Sequence, residues 1–333
     1  MQQVLNSLIQ GENLTVEQAE EVMIGIMSGT FSNSEIAGFL TALAVKGETA
    51  EEIAGFARAM QAKMVKVSLE SAAIDMCGTG GDGMGTFNIS TAASFVVAGA
   101  GVPVAKHGNR SISSKSGSAD VLSELGVDIQ MPPGKVGEAV DEVGLGFLFA
   151  PAYHPAMKFV MPARKALGIR TVFNILGPLC NPAQVNRQVI GLFDGDLTEK
   201  MAHVLQLLGS KSAMLVHGTD GLDEISTTSG TIISQIAGNA EIRSHEFAPE
   251  SAGIPRADIN DLQGGTAADN AEIIRNILDG STGPKRDVVI LNAAAGLIVG
   301  GKVTGFSEGI QAAAESVDSG AAREVLARLV ELS

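Results

Sequence analysis

The chain has no tryptophan, a single tyrosine (Tyr153) and only 4% aromatic residues among 333. That scarcity removes the stacked aromatic platforms on which single-stranded nucleic acid binds. Cysteine is nearly as rare: Cys77 and Cys180 stand far apart and match no metal-ligand spacing. A disulfide scaffold is not expected, and a reducing compartment, the cytoplasm, is. Basic residues are outnumbered, 23 Lys and Arg against 37 Asp and Glu, for a formal net charge of −14. Neither nucleic acid nor an anionic membrane surface is therefore expected as a partner. No apolar run approaches the ~18 residues that span a bilayer, and no basic stretch leads into an apolar core near Met1.

What is present is a globular composition, 45% hydrophobic and 18% charged, with 40 glycines. The length allows two domains or one large α/β body with an appendage. Residues 1–64 carry three capping boxes, Thr15-Val-Glu-Gln18, Ser32-Asn-Ser-Glu35 and Thr49-Ala-Glu-Glu52. Each leads into apolar residues at helical spacing, which predicts three short helices with one apolar face apiece. Such helices must pack on the larger body, as a core stripe would, or on a second copy of themselves, as an exposed dimer patch would. From about residue 70 short β-branched strands alternate with Ala- and Gly-rich helices. Strands are predicted at 74–77, 102–105, 188–193, 213–217, 231–236 and 288–291, and helices at 90–100, 118–125, 199–208, 268–278, 293–299 and 321–332. This alternation predicts an α/β fold, with a central mixed, mostly parallel sheet flanked by helices, plus a smaller all-helical N-terminal domain. The expected boundaries are 1–66 for the helical domain, joined by about 155–182 folding back beside it, and 67–333 for the α/β domain.

The chemistry-bearing stretch runs from Ile74 to Asp120. Gly78-Thr-Gly80-Gly81-Asp82-Gly83 formally matches the dinucleotide fingerprint G-x-G-x-x-G after a strand. The partner carboxylate about 20 residues on is missing, since 98–104 read Ala-Gly-Ala-Gly-Val-Pro-Val. No P-loop signature exists either. Asn88-Ile89-Ser90-Thr91 opens an apolar helix, where a polar side chain is either an N-cap or an anion ligand. Lys106 to Ser118 holds five serines with Lys106, Arg110 and Lys115, and no acid until Asp120. Hydroxyls interleaved with cations after a strand suit several phosphate oxygens at once, where a solvated basic loop would need no such alternation. Asp223-Glu224, in a glycine-rich segment, suits Mg²⁺, which takes one or two carboxylates and fills its shell with phosphate oxygens and water. His107, His154 and His217 are not spaced as a zinc set, and no nucleophile with a base is evident.

In these pieces the chain closely resembles the anthranilate phosphoribosyltransferase family. The resemblance rests on Cys77-Gly-Thr-Gly-Gly-Asp82, Asn88-Ile-Ser-Thr91, the run from Lys106 to Asp120, the segment from His154-Pro-Ala-Met157 through Arg164 to Asn174-Ile-Leu-Gly-Pro-Leu179, and His217-Gly with Asp223-Glu224. It implies transfer of a phosphoribosyl group from phosphoribosyl diphosphate to anthranilate with release of diphosphate, assisted by Mg²⁺. It implies that Gly78, Gly81, Asp82, Thr86, Asn88, Ile89, Ser90, Thr91, Lys106, His107, Gly108, Asn109, Arg110, Ser111, Ile112, Ser113, Ser114 and Ser118 hold phosphoribosyl diphosphate. Ser90, Asp223 and Glu224 would serve the metal. Gly78, Asn109 and Arg164 would meet anthranilate, with His107 and Tyr153 lining its pocket. No residue is expected to act as acid or base, because an aromatic amine is neutral and nucleophilic at pH 7. Two other readings stay open: a pyrimidine nucleoside phosphorylase, and a non-enzymatic relative that binds nucleic acid. The Asn109-Arg110-Ser111 run with Arg164 speaks against the first, and the net charge against the second.

Overall fold

A computed structural model describes every residue except 112–114 and 239. The chain opens with α1 (Gln2–Ile9), α2 (Val16–Met27), α3 (Asn33–Lys46) and α4 (Ala50–Lys63). Thr15, Ser32 and Thr49 each accept from the backbone of the residue three on, and that residue's side chain returns the bond. These are the three boxes read from sequence; α1 has no such signal and is found only by its packing on α3. Glu52 goes further than a cap. It is fully buried, accepts from the amides of Leu14 and Thr49, and pairs with Lys46 Nζ at 2.9 Å.

The α/β part follows as β1 (Asp75–Gly78), α5 (Ile89–Gly99), β2 (Val104–Gly108), α6 (Ser118–Glu124), α7 (Pro133–Glu138), β3 (Leu145–Phe149), α8 (Ala150–Tyr153), α9 (Met161–Leu167), α10 (Phe173–Leu176) and β4 (Arg187–Gly191). It continues as α11 (Leu197–Leu207), β5 (Ser212–Gly218), β6 (Thr231–Ala237), β7 (Arg243–Phe247), α12 (Ala267–Leu278), α13 (Pro284–Gly300), α14 (Phe306–Asp318) and α15 (Ala321–Leu332). One sheet runs β1-β4-β5-β6-β7, parallel through β5 and antiparallel beyond it. The parallel pair β2-β3 joins its β1 edge, where Ala105 N donates to Ile74 O at 2.8 Å. The sheet is therefore mixed and mostly parallel, as expected.

Alternate residues of the central strands serve different cores. Val189, Met214 and Val216 face the cluster built on α5 and α13, whereas Ile190, Ala213 and Leu215 face the one shared with α2–α4, α11 and Val160–Leu179. Apolar side chains on both faces are what a buried parallel strand requires. The segment after His154 does return to the N-terminal helices, with α9 against α3 and α10 against α4.

Three expectations are corrected. Val288–Leu291 is no strand but part of α13, which Pro284 starts and Gly301 ends in a left-handed conformation. A short apolar run does not separate a strand from a buried helix, and this helix is buried on nearly every face. The second strand begins at Val104 rather than 102 and extends to Gly108, so Lys106 and His107 lie in the sheet rather than in the loop beyond it. Finally, β3, α7 and α14 were not expected. Among the described residues, no helix is long and apolar enough to cross a membrane.

Candidate active site

The parallel strands place their carboxyl ends side by side, with Gly78 of β1 opposite Gly191 of β4 and Gly191 opposite Val216 of β5. Ligands of open α/β sheets bind beyond such ends. From β1 the chain enters the glycine loop, where Gly80, Gly81, Gly83 and Gly85 all take positive φ. That conformation is cheap only for glycine and turns successive amides outward. Thr79 ties the loop to β4, donating its amide to Gly191 O at 2.9 Å and accepting from Phe193 N at 3.1 Å.

Into this loop come the two carboxylates that follow β5. Asp223 Oδ2 accepts the amide of Gly80 at 2.8 Å, and Glu224 Oε1 accepts the amide of Ser90 at 3.0 Å, at the first turn of α5. Burial, reinforced by Asp82, pushes Asp223 up to about 7; burial and Asp223 push Glu224 up to about 8. Lys106 is 3% exposed and reaches the same place from β2, donating to Met76 O and, at 3.3 Å, to Ser90 Oγ. Burial lowers its pKa, opposed by Asp75.

This donor set fits Mg²⁺. Two crowded carboxylates with raised pKa values gain most from a divalent cation, and magnesium usually completes its shell with ligand phosphates and water. Among the described residues no three His, Cys, Asp or Glu side chains form a closed metal cage, so an all-protein metal site is not offered.

Described residues on both sides of 112–114 meet at Asp120, at the start of α6. The Asp120 carboxylate accepts the amides of Ser111 at 3.1 Å and Gly117 at 3.0 Å, and pairs with Arg110 at 2.8 Å. Ser118 Oγ donates to Asn109 O. Asn109 and Arg110 are exposed. Ile112, Ser113 and Ser114 lie outside the described residues. Asn88 does not cap α5: its amide donates to Ser116 O and its carbonyl accepts from Asn270, which joins the basic loop to α12. Ile89 and Thr91 are 1% exposed, and the Thr91 hydroxyl has no partner among the described residues. Thr86 bridges to Gln263, and Asp82 caps the amide of Met84.

The second set comes from α8, α9 and the end of β2. Arg164 on α9 is half-buried, 5.4 Å from the Phe173 ring, and pairs with no carboxylate among the described residues. Burial lowers its pKa. His107 donates from Nδ1 to Gly177 O at 3.2 Å, since a carbonyl can only accept, so its Nε2 accepts from His154 Nε2 at 3.3 Å. Burial holds His107 down at about 3 and His154 at about 4. Tyr153 is 2% exposed, its phenol without a hydrogen-bond partner among the described residues and pushed up to about 12 by burial.

Some residues of the site had no role in the sequence reading. Arg170 spans from the α9 side to the glycine loop, donating to Gly81 O at 2.6 Å with its guanidinium 4.0 Å from the Phe193 ring. Asn181 donates to Asp75 Oδ2 and to Ala105 O, both at 2.8 Å, behind His107. His154 and Arg170 stood in the motif-bearing segment and Asn181 two residues past its end, and that proximity was the only signal that could have found them.

A family model described as the glycosyl transferase family a/b domain matches residues 70–323, and that of the family's helical bundle domain matches residues 2–64. Anthranilate phosphoribosyltransferase of Acetivibrio thermocellus is 51% identical, over 100% of this chain and 96% of the relative. The crystal structure of that enzyme from Thermus thermophilus is 43% identical, covers 99% of this chain and 98% of its own, and superposes with a TM-score of 0.93. The Saccharomyces cerevisiae enzyme in complex with PRPP and Mg is 29% identical over 99% of this chain and 97% of its own, with a TM-score of 0.90. Sequence identity of that extent, over both chains from end to end, leaves one conclusion: the chain belongs to the anthranilate phosphoribosyltransferase family.

Proposed function

We infer that this protein transfers the 5-phosphoribosyl group from phosphoribosyl diphosphate to the amine of anthranilate, releasing diphosphate, with Mg²⁺ as cofactor. The observation that carries the reading is the meeting of the Gly80 and Ser90 amides with Asp223 and Glu224, in a chain that follows this family along its whole length. The glycine-loop amides, the first turn of α5 and Lys106 would hold the phosphates and receive the negative charge that grows on departing diphosphate. Mg²⁺ held by Asp223, Glu224 and Ser90 would supply further charge neutralisation there. Arg164 would bind the anthranilate carboxylate, with Asn109, Gly78, His107 and Tyr153 around the ring. An unpaired, half-buried guanidinium supports that part of the reading. His107 and His154 stay neutral at pH 7, so orientation rather than proton transfer is their contribution.

We further propose that residues 1–66 with about 155–182 form the helical unit and the rest of 67–333 the α/β unit. Dimerisation through the helical unit is supported by Ile9 on α1 and Val45 on α3, apolar yet 75% and 84% exposed. A cytoplasmic location is supported by the two buried, unpaired cysteines.

The test is the loss of anthranilate fluorescence on adding phosphoribosyl diphosphate and Mg²⁺. Steady loss that stops on chelation is expected. No loss, with phosphorolysis of a pyrimidine nucleoside instead, would make the chain a phosphorylase.

A further inference from the structure

Asn292 stands in the middle of α13 and is fully buried, and the hydrogen bonds of its side chain go to Ile225 and Val288. Its side-chain oxygen accepts the amide of Ile225 at 2.9 Å. Its side-chain nitrogen donates to Ile225 O at 2.9 Å and to Val288 O, within its own helix, at 2.9 Å. One amide side chain thus satisfies both polar backbone groups of a residue that belongs to no strand, immediately after Glu224. Hydrogen bonds this deeply buried are costly to leave unmade, so the backbone at 225 has little freedom.

The same loop is also tied across itself. Asp220 accepts from Ser226 Oγ at 2.7 Å, from the Thr228 hydroxyl and from Leu222 N at 3.2 Å. The acidic pair sits inside this knot, and Ile225, which Asn292 holds, follows it directly. Beneath it, α13 lies close to α5, since a Cβ at Gly296 would come 2.8 Å from Val97 Cγ2. Helix α5 carries Ser90, whose amide Glu224 accepts. Both sides of the Glu224–Ser90 contact are therefore fastened to one helix pair.

We propose that Asn292 is a positioning residue for the acidic pair: by clamping Ile225 to α13 it fixes Asp223 and Glu224 over α5 and so governs how the protein uses Mg²⁺. This rests on the phosphoribosyl-transfer reading above only for its catalytic consequence. The clamp itself is testable without turnover.

The experiment compares the full-length protein with Asn292→Ala. Amide hydrogen exchange of the ligand-free proteins is measured first, then the Mg²⁺ concentration for half-maximal activity and the anthranilate KM. Exchange over residues 222–226 is expected to quicken about tenfold, with α5 and the rest of α13 little changed, since one strong buried link is lost. The Mg²⁺ requirement is expected to rise about tenfold, and the anthranilate KM to stay within about twofold. Unchanged exchange at 222–226, exchange that quickens uniformly along the chain, or an unchanged Mg²⁺ requirement would each overturn the proposal. If Asn292→Ala does not fold, the isosteric Asn292→Asp is read by the same criteria, because it sets an oxygen against Ile225 O where the amide donated. If the unaltered protein shows no turnover, the transfer reading fails on its own, and the exchange experiment still decides the clamp.

Discussion

Glu224 occupies the backbone amide of Ser90, at 3.0 Å, in the very turn of α5 that should receive a phosphate. Asp223 does the same to Gly80 at 2.8 Å. Two amides of the cradle are thus taken up by the protein's own carboxylates. A diphosphate arriving at the neighbouring amides would crowd like charges together unless a cation accompanies it. Combining Asp223→Asn with Glu224→Gln should therefore act in opposite directions on two measurements. Calorimetry without metal should find diphosphate binding tighter than to the unaltered protein by several-fold. Magnesium-dependent kcat should fall by about 10²-fold or more, as a lost electrostatic contact at the transition state predicts. Unchanged magnesium-dependent turnover would remove the pair from the mechanism.

Arg164 tests the second substrate. Its guanidinium has a ring for a neighbour, Phe173, and no carboxylate partner among the described residues. A charge-assisted bond to a carboxylate contributes about 1.5–3 kcal/mol, or roughly 10- to 150-fold. Arg164→Ala should raise the anthranilate KM by about that factor and leave the phosphoribosyl diphosphate KM within about threefold. Lysine should restore part of the loss, since it keeps the charge but not the planar fork. Steady-state kinetics with each substrate varied in turn decides it; equal effects on both constants would sink the assignment.

The buried histidine pair gives the protein a pH signature. His107 and His154 are held at about 3 and about 4, below the ~6.5 of an unfolded chain. Between those values the unfolded state binds more protons, so the pair's contribution is complete above pH 6.5 and is lost as pH falls. Asp223 and Glu224 run the other way. Raised to about 7 and about 8, they contribute stability that is present at low pH and lost as pH rises. The histidine effect is therefore read as a difference, from denaturant midpoints of the unaltered protein and His154→Asn across pH 4 to 7. The unaltered protein should gain on the variant by about 3 kcal/mol over that span, all of it below pH 6.5. A constant difference would mean that His154 titrates normally in the folded state.

What the sequence made legible was whatever sits close together along the chain. The boxes at Thr15, Ser32 and Thr49 could be read because cap and partner are three residues apart, and the glycine loop because its glycines adjoin. Lys106 could be read as a cation near phosphate, yet not as a buried one, because that depends on β3 covering β2. Asn292 was invisible: its partner Ile225 is 67 positions away, and the apolar run before it reads equally well as a strand. Arg170 and the His107–His154 pair were hidden for the same reason, since two elements must first be brought together by the fold.

Two glycines abut Asp223, and the contrast between them separates site from scaffold. A Cβ at Gly78 would lie 2.5 Å from Asp223 Oδ2, the mobile end of a side chain. A Cβ at Gly191 would lie 1.5 Å from the Asp223 carbonyl oxygen, which the loop cannot easily move. Gly78→Ala should therefore fold with a Tm within a few degrees of the unaltered protein, because the carboxylate can swing aside. Swinging aside breaks the Gly80 contact and misplaces the metal-binding oxygen, so magnesium-dependent turnover should fall about tenfold or more. Gly191→Ala must instead shift the whole 219–224 loop against the Asn292 clamp and the Asp220 knot. Overpacking of that kind costs about 1–3 kcal/mol, and here both stability and turnover should drop together. Thermal unfolding and kinetics on the two variants check the pair. A Gly191→Ala protein as stable and active as the unaltered one would show that the loop moves freely, and with it the idea of a rigidly held acidic pair would fall.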